Sequence, residues 1–267
     1  RGVKRPEVQT QGGRTACAFS GGVDSFYTAL KLREQGKLHE VLFMAGFDMP
    51  LHLEASIGEL THSYSELMRQ RGVEFTAGAT NIRAFVNGVD WTNAHGPALA
   101  ASALFFKNTW AQFFVPSSYR AGAYPAWGTH PELDPLLSSE GFEFEHHGAD
   151  LNRVGKLQVI AQHPESYDRL RVCWIQNIGL KNCGSCEKCV RTMAALSILG
   201  KLSRYTTFVS PSLLRPRIRR LTQRTYQGRL FSRELIHEAI KRRHIGVALD
   251  LGYSLAKRHV KRTLGLR

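Results

Sequence analysis

The chain has 267 residues, enough for one large α/β domain or for one domain with an appendage, and 43% of them are hydrophobic. No stretch is uniformly apolar over the roughly twenty residues that span a bilayer, which argues against an integral membrane protein. Residues 1–14 lack the apolar run of a secretory signal, so we expect a cytoplasmic protein, with a removed leader as the alternative.

The excess of positive charge lies in the C-terminal quarter. Residues 1–200 carry 19 Lys/Arg and 19 Asp/Glu, whereas residues 201–267 carry 17 and 3, which accounts for the formal net charge of +14. We therefore predict a catalytic domain over 1–200 and a basic extension over 201–267. Apolar residues recur in the extension at roughly helical spacing, which predicts basic amphipathic helices. Such a surface can bind RNA, an anionic membrane surface or an acidic protein, or it can be a solvated face; a homodimer is also compatible with the sequence.

Short apolar runs and helical periods alternate over the first part of the chain. The spacing predicts a strand at 15–19, a helix at 24–35, a strand at 40–45, a helix at 53–71 and a strand at 73–76. Alternation of this kind predicts an α/β fold with a doubly wound parallel sheet.

The following segment has a less regular pattern. Residues 97–114, rich in Ala, Leu and Phe, predict a buried helix that runs into a strand at 112–115, and residues 116–148 are predicted to be loop. His146 and His147 lie in that segment. We interpret them as part of a surface turn and not as a metal or acid–base pair, because adjacent side chains usually point apart.

The first predicted strand leads into the sequence FSGGVDS. In parallel α/β sheets ligands bind beyond the carboxyl ends of the strands, where a helix N-terminus offers free amides. Gly21 and Gly22 lack Cβ atoms and let backbone amides approach an oxyanion, while Ser20 and Ser25 add hydroxyl donors. These features predict a phosphate-binding loop, in which Asp24 either caps the helix or helps to hold Mg²⁺. An ordinary strand–turn–helix is the alternative.

The five cysteines fall into two groups. Cys17 lies in the first apolar run and is predicted to be a small buried residue. The others, Cys173, Cys183, Cys186 and Cys189, have the spacing C-x9-C-x2-C-x2-C. Disulfides fit a cytoplasmic chain poorly, whereas closely spaced thiolates can converge on one metal. We predict a closed structural zinc site, with an iron–sulfur cluster as the alternative.

The string SGGVDS matches SGG-x-DS and resembles the signature of the PP-loop ATP pyrophosphatases; it fits neither G-x-x-x-x-G-K-[ST] nor G-x-G-x-x-G. This resemblance implies ATP binding through the loop, cleavage between the α and β phosphates, and adenylation of a substrate oxygen. The residues that it implies in nucleotide binding are Ser20, Gly21, Gly22, Val23, Asp24 and Ser25.

Three later segments resemble the 7-cyano-7-deazaguanine synthase branch of this family, whose fold is of the adenine nucleotide alpha hydrolase type. AGFD, which ends in Asp48, is similar to a turn near the adenosine, and GKLQVI contains Lys156 at the place of a lysine that faces the phosphates. RVCW followed by CGSCEKCVR is similar to its zinc-binding segment. The resemblance implies catalytic roles for Ser20, Asp24 and Lys156. From the residues alone, Lys156 reads as a surface lysine and GFDMP as a turn.

The resemblance is incomplete where a substrate would bind. The chain has TNAHGP and SSYRAGAYPAWGTH where the family has Pro-Gly-Arg-Asn-like and Tyr-Pro-Asp-Cys-Arg-like loops, so we expect a substrate other than carboxy-deazaguanine. Side chains of these segments either line an aromatic pocket with one cation or pack as the core of a loop. They are His95, Tyr119, Arg120, Tyr124, Trp127 and His130.

Together these features predict an ATP- and Mg²⁺-dependent enzyme that adenylates a carboxylate or carbonyl oxygen of a small molecule, after which ammonia or an external sulfur donor displaces AMP. Outside the four-cysteine cluster the chain has no thiol except Cys17 to carry sulfur. The alternatives are a tRNA-modifying, thiolation-type enzyme whose basic extension binds RNA, and a nucleotide-binding scaffold without catalysis.

Overall fold

The computed structural model describes residues 13–175, 178–223 and 225–263, with side chains through residue 257. Backbone contacts divide the chain into two compact units, Arg1–Leu151 and Asn152–Arg267. The boundary predicted from charge at residue 200 does not coincide with this division, because the cysteine-rich segment and the basic extension belong to the same unit.

The first unit contains a five-stranded parallel sheet with the strand order β3-β2-β1-β4-β5. Its elements in chain order are β1 (Arg14–Ala18), α1 (Val23–Glu34), β2 (Glu40–Ala45), α2 (Glu54–Gln70), β3 (Glu74–Ala79), α3 (Ile82–Phe85), α4 (Trp91–Leu104), β4 (Trp110–Pro116) and β5 (Glu143–His147). The strand order reverses between β1 and β4, as in Rossmann-like folds, and the predicted α/β class with a parallel sheet is confirmed.

Helices cover both faces of the sheet. Successive residues of a strand point to opposite sides and therefore pack against different helices. On one face, Ala16 and Leu42 share a buried cluster with Ala103 of α4. On the other, Phe43 of β2 lies against Tyr64 of α2, with ring centroids 6.2 Å apart. Burial on both sides explains why the inner strands read as nearly continuous apolar runs. It also confirms Cys17, 0% exposed on β1, as a small buried residue.

Two predictions for the middle of this unit are wrong. Helix α4 begins at Trp91 and not at residue 97, because Asp90 caps it by accepting a hydrogen bond from Thr92 N at 2.9 Å. The segment 116–148 is not all loop, since it ends in β5. The sequence of this strand, EFEHH, has only one apolar residue, Phe144, which is buried in the core. The other four residues are polar, so the apolar pattern of a strand is weak here.

The described part of the second unit is helical. Its main elements are α5 (Arg153–Ile160), α6 (Glu187–Ile198), α7 (Leu214–Arg220), α8 (Tyr226–Lys241) and α9 (Ile245–Thr263). The extension therefore forms helices, as predicted. Within the described residues, no helix is both long enough and apolar enough to cross a membrane. The basic extension ends with the cationic run KRHVKR at residues 257–262, of which only Lys257 has a described side chain, and it is exposed.

Some cations of the extension are used inside the unit. Asp250 of α9 is 2% exposed and accepts hydrogen bonds from Arg215 and Arg219 of α7, the latter at 2.6 Å. Burial acts to raise the pKa of Asp250, but the hydrogen bonds and charges of the two arginines outweigh it and lower that pKa. These two arginines therefore hold α7 on α9.

Candidate active site and metal centre

The sequence FSGGVDS forms the connection between β1 and α1. Gly21 has φ +73°, and a Cβ placed there would lie 1.8 Å from Tyr64 Oη, so both the backbone and the available space require glycine. Helix α1 begins at Val23, and its first backbone hydrogen bond runs from Phe26 N to Gly22 O. The amides before Phe26 therefore have no partner within the helix, which is the arrangement that binds anions.

Two serines brace this loop. Ser25 Oγ accepts a hydrogen bond from Ser20 N at 3.2 Å and donates to Gly22 O at 3.1 Å, while the Ser20 side chain is exposed. Asp24 lies in the first turn of α1, where the helix dipole favours a carboxylate. Gly22 occupies the N-cap position, so Asp24 is not the N-cap residue.

A second turn follows β2, the strand beside β1. Gly46 has φ +94°, and a Cβ there would lie 1.8 Å from Thr80 O, so this turn also requires glycine. Its amide donates to Met49 O at 2.7 Å. The turn leaves the Asp48 side chain exposed at the carboxyl edge of the sheet. This position suits a contact with a ligand bound at the adjacent glycine loop.

Aromatic side chains form a continuous row from the turn after β2 to the segment after β4. Neighbouring ring centroids are between 4.7 and 6.4 Å apart. The members in spatial order are Phe47, Trp91, His95, Trp127, Tyr119, Tyr124 and His130. All the residues predicted to line a substrate pocket belong to this row except Arg120, which is exposed.

The row combines packed and accessible rings. Tyr119 is 3% exposed and serves as its core, whereas His95, Tyr124, Trp127 and His130 are half-buried. The buried Trp127 Nε1 has no hydrogen-bond acceptor among the described groups, which is unusual for a buried donor. Burial lowers the pKa of His95, so its ring is neutral at neutral pH. Its Nδ1 lies 3.1 Å from Trp91 O and must donate, which leaves Nε2 as an acceptor.

A chain of polar side chains connects Tyr124 to the interior. Tyr124 Oη lies 2.8 Å from His146 Nε2 and 2.7 Å from Ser117 Oγ, and His146 Nδ1 lies 2.6 Å from Asp134 Oδ2. The side chains of His146 and Asp134 are only 2% and 0% exposed. Burial raises the pKa of Tyr124, and the charges of Asp134 and Asp24 act in the same direction. The charge of Asp24, at the glycine loop, thus acts on Tyr124 of the aromatic row.

This network of hydrogen bonds shows that the interpretation of the two histidines as part of a surface turn is wrong. Both histidines lie on β5. His146 points towards Tyr124 and Asp134, whereas the next residue, His147, contacts Thr28 Oγ1 of α1 at 3.1 Å. Neither Asp134 nor Ser117 was identified from the sequence. A prediction of β5 as a strand would have separated the histidines by face, but no local signal joins His146 to Asp134.

The second unit contains the predicted metal centre. The sulfur atoms of Cys173, Cys183, Cys186 and Cys189 all lie within 4.8 Å of one another, and all four residues are buried. Gly184, with φ +67°, makes the tight turn between them, since a Cβ there would lie 2.2 Å from Val209 O. The four sulfurs thus form a group that can hold a metal ion.

Backbone amides surround the sulfurs of this cluster. Ser185 N and Cys186 N donate to Cys183 Sγ at 3.4 and 3.3 Å, and Cys189 N donates to Cys186 Sγ at 3.5 Å. The hydrogen bond from the Cys189 thiol is the main cause that lowers the pKa of Cys186, to about 7. Burial acts to raise the pKa of Cys183, but hydrogen bonds from Ser185 and Cys186 outweigh it and lower that pKa. This environment favours the thiolate form, which metals bind, at Cys183 and Cys186, whereas the hydrogen bond with Cys186 raises the pKa of Cys189.

Asn182 joins the two parts of the cluster and was not identified from the sequence. It is 0% exposed, and its Oδ1 accepts from Val172 N at 2.7 Å and from Cys173 N at 2.9 Å. Its Nδ2 donates to Leu170 O at 2.8 Å and to Thr207 Oγ1 at 2.9 Å. All the hydrogen-bonding capacity of its side chain is used to hold the segment of Cys173 against the loop of the other three cysteines.

Lys156 lies on α5 and is 1% exposed, so the interpretation as a surface lysine is wrong. A buried lysine normally has a specific partner, because an isolated ammonium is costly to bury. The contact with a nucleotide phosphate that the resemblance implies stays a prediction.

The first unit also has an open groove of about 440 Å³ between α2 and the ends of β2 and β3. Small residues such as Gly58, Ala77 and Gly78 line it, and Glu54 is the one titratable residue among the described residues of its lining.

No family model, curated protein or solved structure matches this chain. The assignment of a function therefore rests on the residues described above, and the resemblance to the PP-loop family stays an expectation from motifs.

Proposed function

We propose that this chain is a PP-loop type ATP pyrophosphatase with the adenine nucleotide alpha hydrolase type of fold, related to the 7-cyano-7-deazaguanine synthases. It adenylates a carboxylate or carbonyl oxygen of a small molecule, and ammonia or a sulfur donor then displaces AMP. The observation that carries this proposal is the glycine loop between β1 and α1, whose shape depends on the absence of a Cβ at Gly21.

The loop residues fit the pyrophosphate part of ATP. Amides before Phe26 lie at the N-terminus of α1, and the exposed Ser20 hydroxyl adds a donor. Asp24 supplies a carboxylate for Mg²⁺ beside the phosphates, and Asp48 lies at the end of the next strand, where the resemblance implies the adenosine. Bound ATP supplies the adenylyl group that turns a poor oxygen leaving group into a good one.

The aromatic row supports a planar substrate. Half-buried rings offer flat apolar surface, which suits an aromatic or heteroaromatic acid. Two polar atoms give such a ring its orientation: Trp127 Nε1 is a buried donor without an acceptor among the described residues, and His95 Nε2 is an acceptor. A ring with both a hydrogen-bond acceptor and a donor on its edge would satisfy both atoms.

The four-cysteine cluster fits a structural zinc ion, with an iron–sulfur cluster as the alternative. Four buried thiolate ligands close a tetrahedral site and leave no open position for a substrate. A structural zinc ion contributes folding energy to the second unit when it binds.

The experiment is to incubate the purified protein with ATP, Mg²⁺ and a panel of substrates, and to separate AMP from ADP by chromatography. The panel contains aromatic carboxylates, ureido compounds and tRNA, each with ammonium or hydrosulfide. We expect AMP and pyrophosphate that depend on one panel member and are abolished in Ser20→Ala/Asp24→Ala. The control Asp168→Ala/Ser212→Ala changes exposed residues and retains activity.

Release of only ADP and phosphate with every panel member would refute the proposal. ATP binding that is unchanged by Asp24→Ala and leads to no product would instead support a nucleotide-binding scaffold.

A tRNA-modifying enzyme is the second candidate, because several cations of the second unit are exposed. Arg233, Lys241, Arg243 and Lys257 are among them. A protein that contacts several phosphates loses affinity steeply as salt rises. A gel shift with tRNA that weakens with salt supports this candidate, and equal binding to tRNA and a scrambled RNA argues against it.

A further inference from the structure

We propose that Tyr124, backed by His146 and Asp134, accepts the proton that a nitrogen nucleophile loses when it displaces AMP. This role rests on the proposed function, and it assigns a catalytic residue and two positioning residues to the second step of the reaction.

The hydrogen bonds that join Asp134, His146 and Tyr124 set the direction in which a proton can move between these side chains. Asp134 Oδ1 accepts from His130 N at 3.0 Å, and Oδ2 lies 2.6 Å from His146 Nδ1, so both carboxylate oxygens have donors. With Nδ1 donating to Asp134, the neutral imidazole presents the lone pair of Nε2 to Tyr124 Oη, 2.8 Å away. Asp134 therefore holds the tautomer that can receive a proton from the phenol.

The second neighbour of the phenol is also an acceptor. The Ser117 hydroxyl donates to Tyr119 O at 2.6 Å, which leaves an Oγ lone pair facing Tyr124 Oη at 2.7 Å. Tyr119 O itself lies 3.2 Å from the phenol. The phenolic proton thus faces acceptors in the protein, and a lone pair of Oη is left for a donor on the substrate side.

The proton path is short. When the nucleophile forms its new bond to carbon, AMP leaves with the electron pair of the C–O bond, and the nitrogen must lose one proton. That proton passes to Tyr124 Oη while the phenolic proton passes to His146 Nε2. The resulting imidazolium is paired with the carboxylate of Asp134, which is 0% exposed and lies 2.6 Å from Nδ1. Positioned proton acceptors of this kind typically contribute about 10²–10⁴-fold.

The location suits this role. Tyr124 is half-buried in the aromatic row, whereas His146 and Asp134 are buried behind it, so a ligand in the row meets the phenol first. The charge of Asp24 acts on Tyr124, and the His130 ring lies 4.7 Å from it. Asp24 and His130 therefore also influence the pH dependence of a step that involves the Tyr124 phenol. The pH profile is measured in His130→Gln as well, so that the contribution of this histidine can be separated.

The test separates the two steps of the reaction. Exchange of labelled pyrophosphate into ATP, with benzoate, nicotinate and indole carboxylate as acids, reports adenylation, and AMP release after addition of ammonium or hydrosulfide reports displacement. In Tyr124→Phe we expect exchange within about twofold of wild type and ammonia-dependent release lowered about 10²-fold. Hydrosulfide-dependent release stays within about threefold, because hydrosulfide is already an anion and its attack forms a neutral thioacid without requiring a base to remove a proton.

A second variant tests the buried pair, and exposed residues serve as controls. In Asp134→Asn the side-chain amide donates to His146 Nδ1 and moves the ring proton to Nε2, so that Nε2 can no longer accept the phenolic proton. Ammonia-dependent release of AMP therefore falls. It recovers toward high pH, where free base in solution accepts the proton that the nucleophile loses. The same recovery in His130→Gln would move the assignment to His130. Tyr253→Phe, 55% exposed, and His237→Gln keep wild-type rates.

The outcomes distinguish the two proposals. Wild-type exchange together with an unaltered ammonia step in Tyr124→Phe overturns the proton-acceptor role alone. An equal loss with ammonia and hydrosulfide assigns the network to loop structure and also overturns it. No exchange and no AMP in the wild type, with every acid, overturns the proposed function and this role together.

Discussion

Replacement of Asn182 by alanine is expected to destabilise the second unit and weaken its metal centre. The substitution removes the acceptor of Val172 N and Cys173 N, and the donor to Leu170 O and Thr207 Oγ1. The Leu170 carbonyl keeps a hydrogen bond from Thr207 Oγ1 at 3.0 Å, so its loss is small. The two amides lose their acceptor, the Cys173 amide in a buried position and the Val172 amide in a partly buried one.

The magnitude follows from those two amides. A buried donor left without a partner costs about 1–3 kcal/mol, so loss of the acceptor of Cys173 N alone is expected to lower the free energy of unfolding by this amount, and the partly buried Val172 N adds to it. Because Cys173 is no longer held in place, metal affinity falls by about 10–100-fold. The free energy is measured by urea unfolding of the metal-loaded protein, and the affinity by competition with a chromophoric chelator.

Asn152→Ala is the matched control in the same unit. Asn152 caps α5 by accepting from Gly155 N at 2.9 Å, and loss of such a cap costs about 1 kcal/mol without touching the cluster. If Asn182→Ala costs no more than this control and leaves the metal affinity unchanged, the argument from buried amides is refuted.

Three further predictions concern other parts of the molecule. Gly21→Ala abolishes ATP binding in equilibrium dialysis, because the added Cβ would lie 1.8 Å from Tyr64 Oη. The control Gly36→Ala has φ +67° and nothing within 4 Å of the added Cβ, so it lowers the free energy of unfolding only by the left-handed strain of about 1–2 kcal/mol and keeps ATP binding. Cys189→Ser lowers the zinc content measured by mass spectrometry of the metal, whereas Cys17→Ala leaves it unchanged. The pKa of Asp250 is lowered in the folded protein, so its stabilisation is present above the pKa of an unfolded Asp, about 3.9, and is lost as pH falls below it. Asp250→Asn therefore flattens the acid limb of stability against pH in thermal unfolding, and an unchanged limb would contradict the arginine clamp.

The parts of the fold that follow local rules were predictable from the sequence. The strand before FSGGVDS, the helix after it and the convergence of four cysteines depend on spacing within short segments. Parallel pairing follows from the alternation of strands and helices.

The rest depends on contacts between distant residues. β5 was missed because its five residues, EFEHH, contain a single apolar side chain, and with the strand the inward direction of His146 was missed as well. The partner Asp134 lies in a short helical turn whose approach to β5 is a tertiary contact. The burial of Lys156 was likewise invisible, since a lysine at the start of a helix usually lies in solvent.

The loop at Gly21 and the aromatic row are built by different parts of the chain. The loop is braced by its own serines and by Tyr64 of α2, while the row takes most of its rings from residues 91–130. In the proposed enzyme, changes in the second set would alter which ring is accepted without disturbing the first. ATP binding and substrate selectivity would then be separable, and a library confined to the segment 117–130 would explore new acceptors while the glycine loop is kept intact.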